Sequence, residues 1–572
     1  MAAVTTAAKP QPRQFPWTSA VHALVLVVML VLVLLPVALI LVNSFRTSAP
    51  GQPAGFSLDV WRLAFSDPAL FTALWNTLSV TVAEQLIALP IAIALAWLLA
   101  RTDLPGSRSL EFMFWVAFFL PALPVTVGWI MLMDPDYGLL NALVTHLPFV
   151  DHGPFNIYSF WGIVWSHLGG GSIAIKVMLL TPAFRSMDAS LEEASRMSGA
   201  SSLGTLVRIV IPIMLPVLSV VLLLSVIHAF QAFEQDLVLG LPFGFYVFGT
   251  QIYAWLQHQP PNFQAATALS SLTLVVMVPF IVLHRWMTGR QRFTTVTGRY
   301  KGQKVRLGRW RWPGFVLVLV VALIFTVVPF AFLLLGTFMK LFGFFEIANP
   351  WTTDHWAKVL GDPVFLGSLR NTLAIALGTA ATGLVAFTAV AYIVARTRFR
   401  GRAALDFLSW LPSTLPGIIL GVGMLWLFLS TPLIRSLYGT LPLLVIAMTI
   451  TSVTTGVQLI KGSVAQLGVE LEEAARVGGG GWWAAFRHVV LPLISPTLLL
   501  VFAVTFVTAA RNVSAMSLLA TTETRPLSLL QLDYMVEGRN EAGAVVGVIV
   551  VALTTGVALL VRLIGRRVGL RQ

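Results

Sequence analysis

The stretch LEEASRMSGASSLGTLVRIVIPIMLP, Leu191 to Pro216, returns 280 residues later as LEEAARVGGGGWWAAFRHVVLPLISP, Leu471 to Pro496. Glu193, Ala194, Arg196, Gly199, Pro212 and Pro216 recur without a gap as Glu473, Ala474, Arg476, Gly479, Pro492 and Pro496. Each copy reads as a short polar helix, a glycine turn and an apolar helix opened by proline. Gly199 and Gly479 fit a left-handed helix end, and Pro212 and Pro492 fall where a missing N–H costs little. Set between long apolar runs, the two copies predict two matching surfaces offered to a two-fold partner.

The runs on either side set the fold class. Of 572 residues, 57% are hydrophobic and 11% charged, against about 25% charged in a soluble domain. Mean hydropathy is +0.84. Many apolar runs reach the roughly 20 residues that cross a bilayer as helix. The chain is therefore expected to be an all-α polytopic membrane protein of about twelve spans. They are placed near 21–42, 76–100, 111–133, 157–181, 209–232 and 265–284, then 313–338, 371–395, 404–430, 440–460, 489–510 and 541–561. The run after residue 20 is too long for a signal-peptide core and reads as a retained first span.

The repeat extends beyond the polar passage. SDPALFTALWNTL (Ser66 to Leu78) matches GDPVFLGSLRNTL (Gly361 to Leu373), so Asp67, Pro68 and Asn76 recur as Asp362, Pro363 and Asn371. ART at Ala100 recurs at Ala395. These pairs lie 295 residues apart, so the first half carries about 15 extra residues around 134–156. The reading is a tandem duplication of a six-helix unit. A tail, 1–20, precedes the first unit, 21–284; a basic linker, 285–312, leads to the second, 313–572.

Charge placement gives orientation. The linker holds nine Lys or Arg and no acid, whereas 134–156 and 234–264 hold no Lys or Arg. Cytoplasmic loops carry the excess of basic residues, so both termini, the linker and both polar passages are expected on the cytoplasmic side. The net charge of +13 is explained by these loops, and a nucleic-acid partner is not expected. Cysteine is absent, which excludes disulfides and thiolate metal sites.

Ser190 and Glu193 stand in capping-box spacing. The second copy has Glu470 in place of the serine yet keeps Glu473, so capping alone does not explain the glutamate. The segments EASRMSGASSLGTLVRIVIP and EAARVGGGGWWAAFRHVVLP resemble the EAA loop of permease subunits of binding-protein-dependent ABC importers. Nearly the whole chain resembles two fused permease domains. The resemblance implies that Glu193, Ala194, Ser195, Gly199 and Pro212, with Glu473, Ala474, Ala475, Gly479 and Pro492, form two coupling elbows docking on a cytoplasmic ABC ATPase dimer. Ser195 departs from the second alanine of the pattern, and GGGGWW (Gly478 to Trp483) is expected to make the second elbow looser and bulkier.

The resemblance further implies a periplasmic substrate-binding protein as partner and a multi-pass location in a bacterial cytoplasmic (inner) membrane. GPFNIYS (Gly153 to Ser159), GLPFGFYVFGTQIY (Gly240 to Tyr253) and TVTGRYKG (Thr295 to Gly302) look most like iron(III) importers. Related permeases carry thiamine, 2-aminoethylphosphonate, polyamines or sulfate. No G-x-x-x-x-G-K-(S/T) loop is present, so no cofactor is assigned to this chain and ATP is left to a separate subunit.

Polar residues near the spans supply the remaining candidates, because burying an ionisable group in a membrane is costly. Glu84 lies within the second span. Gln231 and Glu234 end the fifth, and the 280-residue offset carries Gln231 onto Arg511. Glu84, Gln231, Glu234 and Arg511 are the candidates for a translocation path or gate, with Glu234 facing Arg511. No catalytic residue and no metal site is assigned, for want of ligand spacing such as H-E-x-x-H. A secondary transporter would need buried charges in several spans, and Glu84 alone is counted as one. A membrane enzyme would need a His or carboxylate cluster at a span end.

Overall fold

The computed structural model describes residues 16–53, 55–150, 152–187, 195, 197–199, 201–290 and 304–567. Ten helices there are long and apolar enough to cross a membrane, and three further helix pairs qualify together but bend by more than 40°. In the first half the elements are α1 (Ser19–Asn43), α2 (Pro68–Arg101), α3 (Ser107–Phe119), α4 (Ala122–Met133), α5 (Leu139–Thr145), α6 (Phe160–Ser186), α7 (Leu206–Ala229), α8 (Glu234–Gly240), α9 (Phe248–Gln257) and α10 (Phe263–His284). In the second they are α11 (Gly308–Gly336), α12 (Pro363–Arg396), α13 (Arg402–Trp410), α14 (Gly417–Ser430), α15 (Leu441–Gln466), α16 (Val469–Val477), α17 (Trp482–Arg511), α18 (Leu527–Val536) and α19 (Asn540–Gly565).

The duplication holds at the level of single bonds. Asp67 accepts from Ala69 N–H and Asp362 from Val364 N–H, both at 2.9 Å, so α2 and α12 open on the same aspartate cap with proline at the first position. Thr77 Oγ1 accepts from Phe248 N–H at 2.9 Å, and Thr372 Oγ1 from Leu527 N–H at 2.7 Å. Each threonine thus satisfies the exposed start of a short helix, which has no water partner at membrane depth. Asn76 donates to Tyr246 O at 2.9 Å and Asn371 to Glu523 O at 2.7 Å. These bonds explain why Asn76 and Asn371 recur.

Three expectations need correction. The single spans at 111–133 and 404–430 are bent pairs, by 99° at the break before Ala122 and 115° before Gly417. Pro121 and Pro416 precede the second helix of each pair, where proline favours an extended preceding residue and cannot continue a helix. The stretch 234–264, read as a loop from its lack of basic residues, holds α8 and α9, both largely buried. Pro212 and Pro492 do not open their spans either. One turn earlier each helix widens into a π turn, Leu206–Val210 and Phe486–Val490. That turn absorbs the ring clash and the missing donor, so the helix runs on.

Each half lends its first span to the other. The break in the first half brings α4 against α11, so tightly that a Cβ on Gly128 would lie 2.0 Å from Pro329 O. At the matching place in the second half, a Cβ on Gly423 would lie 2.9 Å from Pro36 O. Met29 and Val33 of α1 accordingly belong to the apolar core of the second half, and Val318 and Phe325 of α11 to that of the first.

Candidate functional site

Two regions carry the candidates: the paired elbows and a polar cavity between the spans. Glu193 and Ala194 lie outside the described residues. Gly199 and Gly479 take the left-handed conformation, with φ of +81° and +83°. In the second elbow Glu473, Ala474 and Gly479 are exposed and Ala475 is half-buried. The neighbouring Glu472 points inward instead: Tyr392 Oη donates to it at 3.0 Å and Arg396 pairs with it at 3.3 Å. The helix therefore has an anchored edge and a free edge.

Above each elbow an arginine of the ART motif holds the end of the preceding span. Arg101 donates to Met187 O at 3.1 Å, and Arg396 donates to Leu467 O and to Val464 O, the latter at 2.8 Å. Guanidinium groups on the last carbonyls of a helix satisfy acceptors that the helix cannot. An ion pair also ties spans three and four in both halves: Arg185 with Glu111, and Lys461 with Asp406 at 2.6 Å. The acids match in position and the bases differ by one turn.

The departures from the EAA pattern have local explanations. Ser195 and Thr205 share a buried hydrogen bond at 2.9 Å, and the second copy has Ala475 and Ala485 at those two places. Pattern and partner changed together. GGGGWW does not loosen the second elbow: Trp482 Nε1 donates to Tyr392 Oη at 3.0 Å and its ring stacks on Phe486 at 5.5 Å. Bulk there is used as a clamp.

The second region is a cavity of about 200 Å³ lined by Glu84, His167, Ser172, Lys176, His228, Gln231, Glu234 and Gln235, among others. Three of the four gate candidates, Glu84, Gln231 and Glu234, meet here. Arg511 is near enough to Glu234 to act on it electrostatically, and Gln231 donates across to Ser413 O of the second half at 2.7 Å. The segment after α7 thus meets the second half at Ser413.

Its wall contains residues that the sequence reading missed. His167 lies between two carboxylates, 2.8 Å from Asp236 and 3.3 Å from Glu84. Ser172 donates to Glu84, and the buried Lys176 donates to Ser172 Oγ at 2.6 Å with Glu84 at 3.9 Å. Counting Glu84 as the one buried charge was therefore wrong. The cluster straddles a break in α6, where Gly171 has φ +114°. Irregular backbone at membrane depth is tolerated where it lines a cavity or is buried in protein. Among the described residues, no group of three or more His, Asp or Glu could hold a metal ion.

The paired elbows sit on a duplicated, multi-pass helical membrane fold. Residues 387–570 match the family described as binding-protein-dependent transport system inner membrane component. It is 30% identical over 412 residues, 71% of this chain, to a Haemophilus influenzae protein named as a ferric transport system permease, FbpB 1. To the ferric transport system permease protein FbpB of Actinobacillus pleuropneumoniae it is 28% identical over 77% of this chain. The chain spans 63% of the length of each of these two. A Sinorhizobium fredii protein named as an ABC transporter permease, y4fN, is 26% identical, covering 87% of this chain and 88% of its own.

Proposed function

We propose that the chain is the membrane permease of an ATP-driven importer, receiving cargo from a binding protein and passing it to the cytoplasm. The observation that carries this reading is the repeated elbow, with the same left-handed glycine and the same π turn in both copies. An ATPase pair closing on the two elbows would move α7 and α17 as levers, since in each copy a left-handed glycine leads into the π turn that begins the span. ATP would be bound and hydrolysed by that partner alone. The inner membrane of a bacterium is the compartment this partnership requires.

Iron(III) is the cargo we infer, supported by the names of two relatives. Glu84, Gln231, Glu234 and Arg511 would line the path, with Glu234 and Arg511 closing it at rest. Uptake of radiolabelled iron by cells expressing the chain with its neighbouring ATPase and binding protein tests the cargo. Iron accumulation that requires all three supports it. Accumulation of sulfate, thiamine or 2-aminoethylphosphonate in its place overturns iron while leaving the permease reading intact.

A further inference from the structure

The two halves solve one packing problem in two chemistries. Glu84, His167 and Lys176 of the first half correspond, by the two offsets, to Thr379, Ala447 and Gly456 of the second. Gly456 sits under Phe387, whose ring a Cβ there would meet at 2.0 Å, and the counterpart of Phe387 in the first half is Ala92. A lysine and an alanine in the first half thus correspond to a glycine and an aromatic ring in the second. A buried ion cluster stabilises no better than apolar packing of similar volume, because desolvation offsets the Coulombic gain. The protein holds the apolar solution in its own second half, so stability does not account for the charged one.

Within the cavity, most charges are already spent. Glu84 is held by Ser172, His167 and Lys176, Asp236 by His167, and Lys176 by Ser172 and Glu84. Gln231 and Gln235 spend their amide N–H groups on Ser413 and Ser166 and keep their carbonyl oxygens. His228 and Glu234 have no side-chain partner at hydrogen-bond distance among the described residues, and His228 is exposed to the cavity although it lies in a membrane span. Their counterparts are Thr508 and Ser514. An oxyanion entering here would meet a carboxylate and find the lysine taken. A metal cation would meet imidazole, carboxylate and amide oxygen, the ligand types that suit divalent and trivalent metals.

We propose that His228 and Glu234, with the amide oxygens of Gln231 and Gln235, form a one-sided transit station for a metal cation. The Glu84–His167–Lys176–Asp236 cluster holds its wall. The station rests on the reading of this cavity as the path and narrows the cargo to a metal cation. Arg511 is the resident counter-charge of Glu234, so an arriving cation competes with it. Few free ligands suit transit, which needs binding strong enough to enter and weak enough to leave.

The test is titration of the purified full chain with terbium(III), read by sensitised luminescence, beside iron uptake in cells. Replacing both residues by their second-half counterparts, His228→Thr with Glu234→Ser, should weaken terbium binding by roughly tenfold or more, the scale on which a metal site responds to lost partners, and lower uptake in parallel. Thr508→Ala with Ser514→Ala should change neither. If the double variant elutes as aggregate, Glu234→Gln alone, which keeps shape and removes the charge, must show the same loss. Unchanged terbium affinity in a folded variant overturns the station, as does sulfate binding abolished by the same changes. Wild type that binds terbium here but carries no iron sinks the iron reading and leaves the station. Wild type and variant that carry iron equally sink the station and leave the reading.

Discussion

Gly128 lies so close to Pro329 that a Cβ would fall 2.0 Å from its carbonyl oxygen. One residue comes from each half, and the pair Gly423 with Pro36 mirrors it. The first spans are exchanged, and each half completes the other. Gly128→Val is therefore expected to be among the most damaging changes in the chain, since backbone rather than a flexible side chain must move. Overpacking of a tight site costs about 1–3 kcal/mol or more. A melting temperature in detergent well below wild type checks it, and Gly367→Val, where nothing lies near the added carbon, is the control.

Ser195 and Thr205 should behave as a unit. Ser195→Ala alone removes one partner of a buried hydroxyl and should destabilise by about 1 kcal/mol. The double change Ser195→Ala with Thr205→Ala reproduces the second copy, Ala475 and Ala485, and should recover much of the loss. A double-mutant cycle on thermal stability measures the coupling. Strict additivity would show that the two hydroxyls act separately.

Orientation is open to a direct check. Reporters fused near Lys301 and at the C-terminus should report the cytoplasm, and one near Gln257 the opposite side. The basis is the excess of Lys and Arg in the linker. A reversed result at Lys301 would place both elbows away from any cytoplasmic ATPase.

Since cysteine is absent, Glu234→Cys and Arg511→Cys can be paired without background. A short crosslinker should join them at rest, and joining should fall when ATP and loaded binding protein are added. A crosslink that never changes would remove Glu234 and Arg511 from the gate.

Much of this architecture was legible in the residues, and the rest was hidden for identifiable reasons. Local signals read well: the aspartate–proline caps of α2 and α12, and the left-handed glycines at 199 and 479, are set by neighbours in sequence. The bends before Ala122 and Gly417 were missed because an apolar window averages over one proline. Helices α8 and α9 were missed because absence of basic residues marks a side of the membrane and says nothing of burial. Lys176 was the readable signal that went unused, a lysine in mid-span with glycine at the matching position. The exchange of first spans has no local trace, since it depends on contacts between residues hundreds apart.

The measurement that bears most directly on the permease account is ATP hydrolysis by the reconstituted complex, stimulated by loaded binding protein. Charge reversal at Glu193 and Glu473 together, or Gly199→Val with Gly479→Val, should abolish stimulation and transport while the chain still folds and reaches the membrane. Each single-elbow variant should fall between. Double variants that hydrolyse ATP and carry cargo like wild type would contradict the account, because the two elbows would then be no route from ATPase to span.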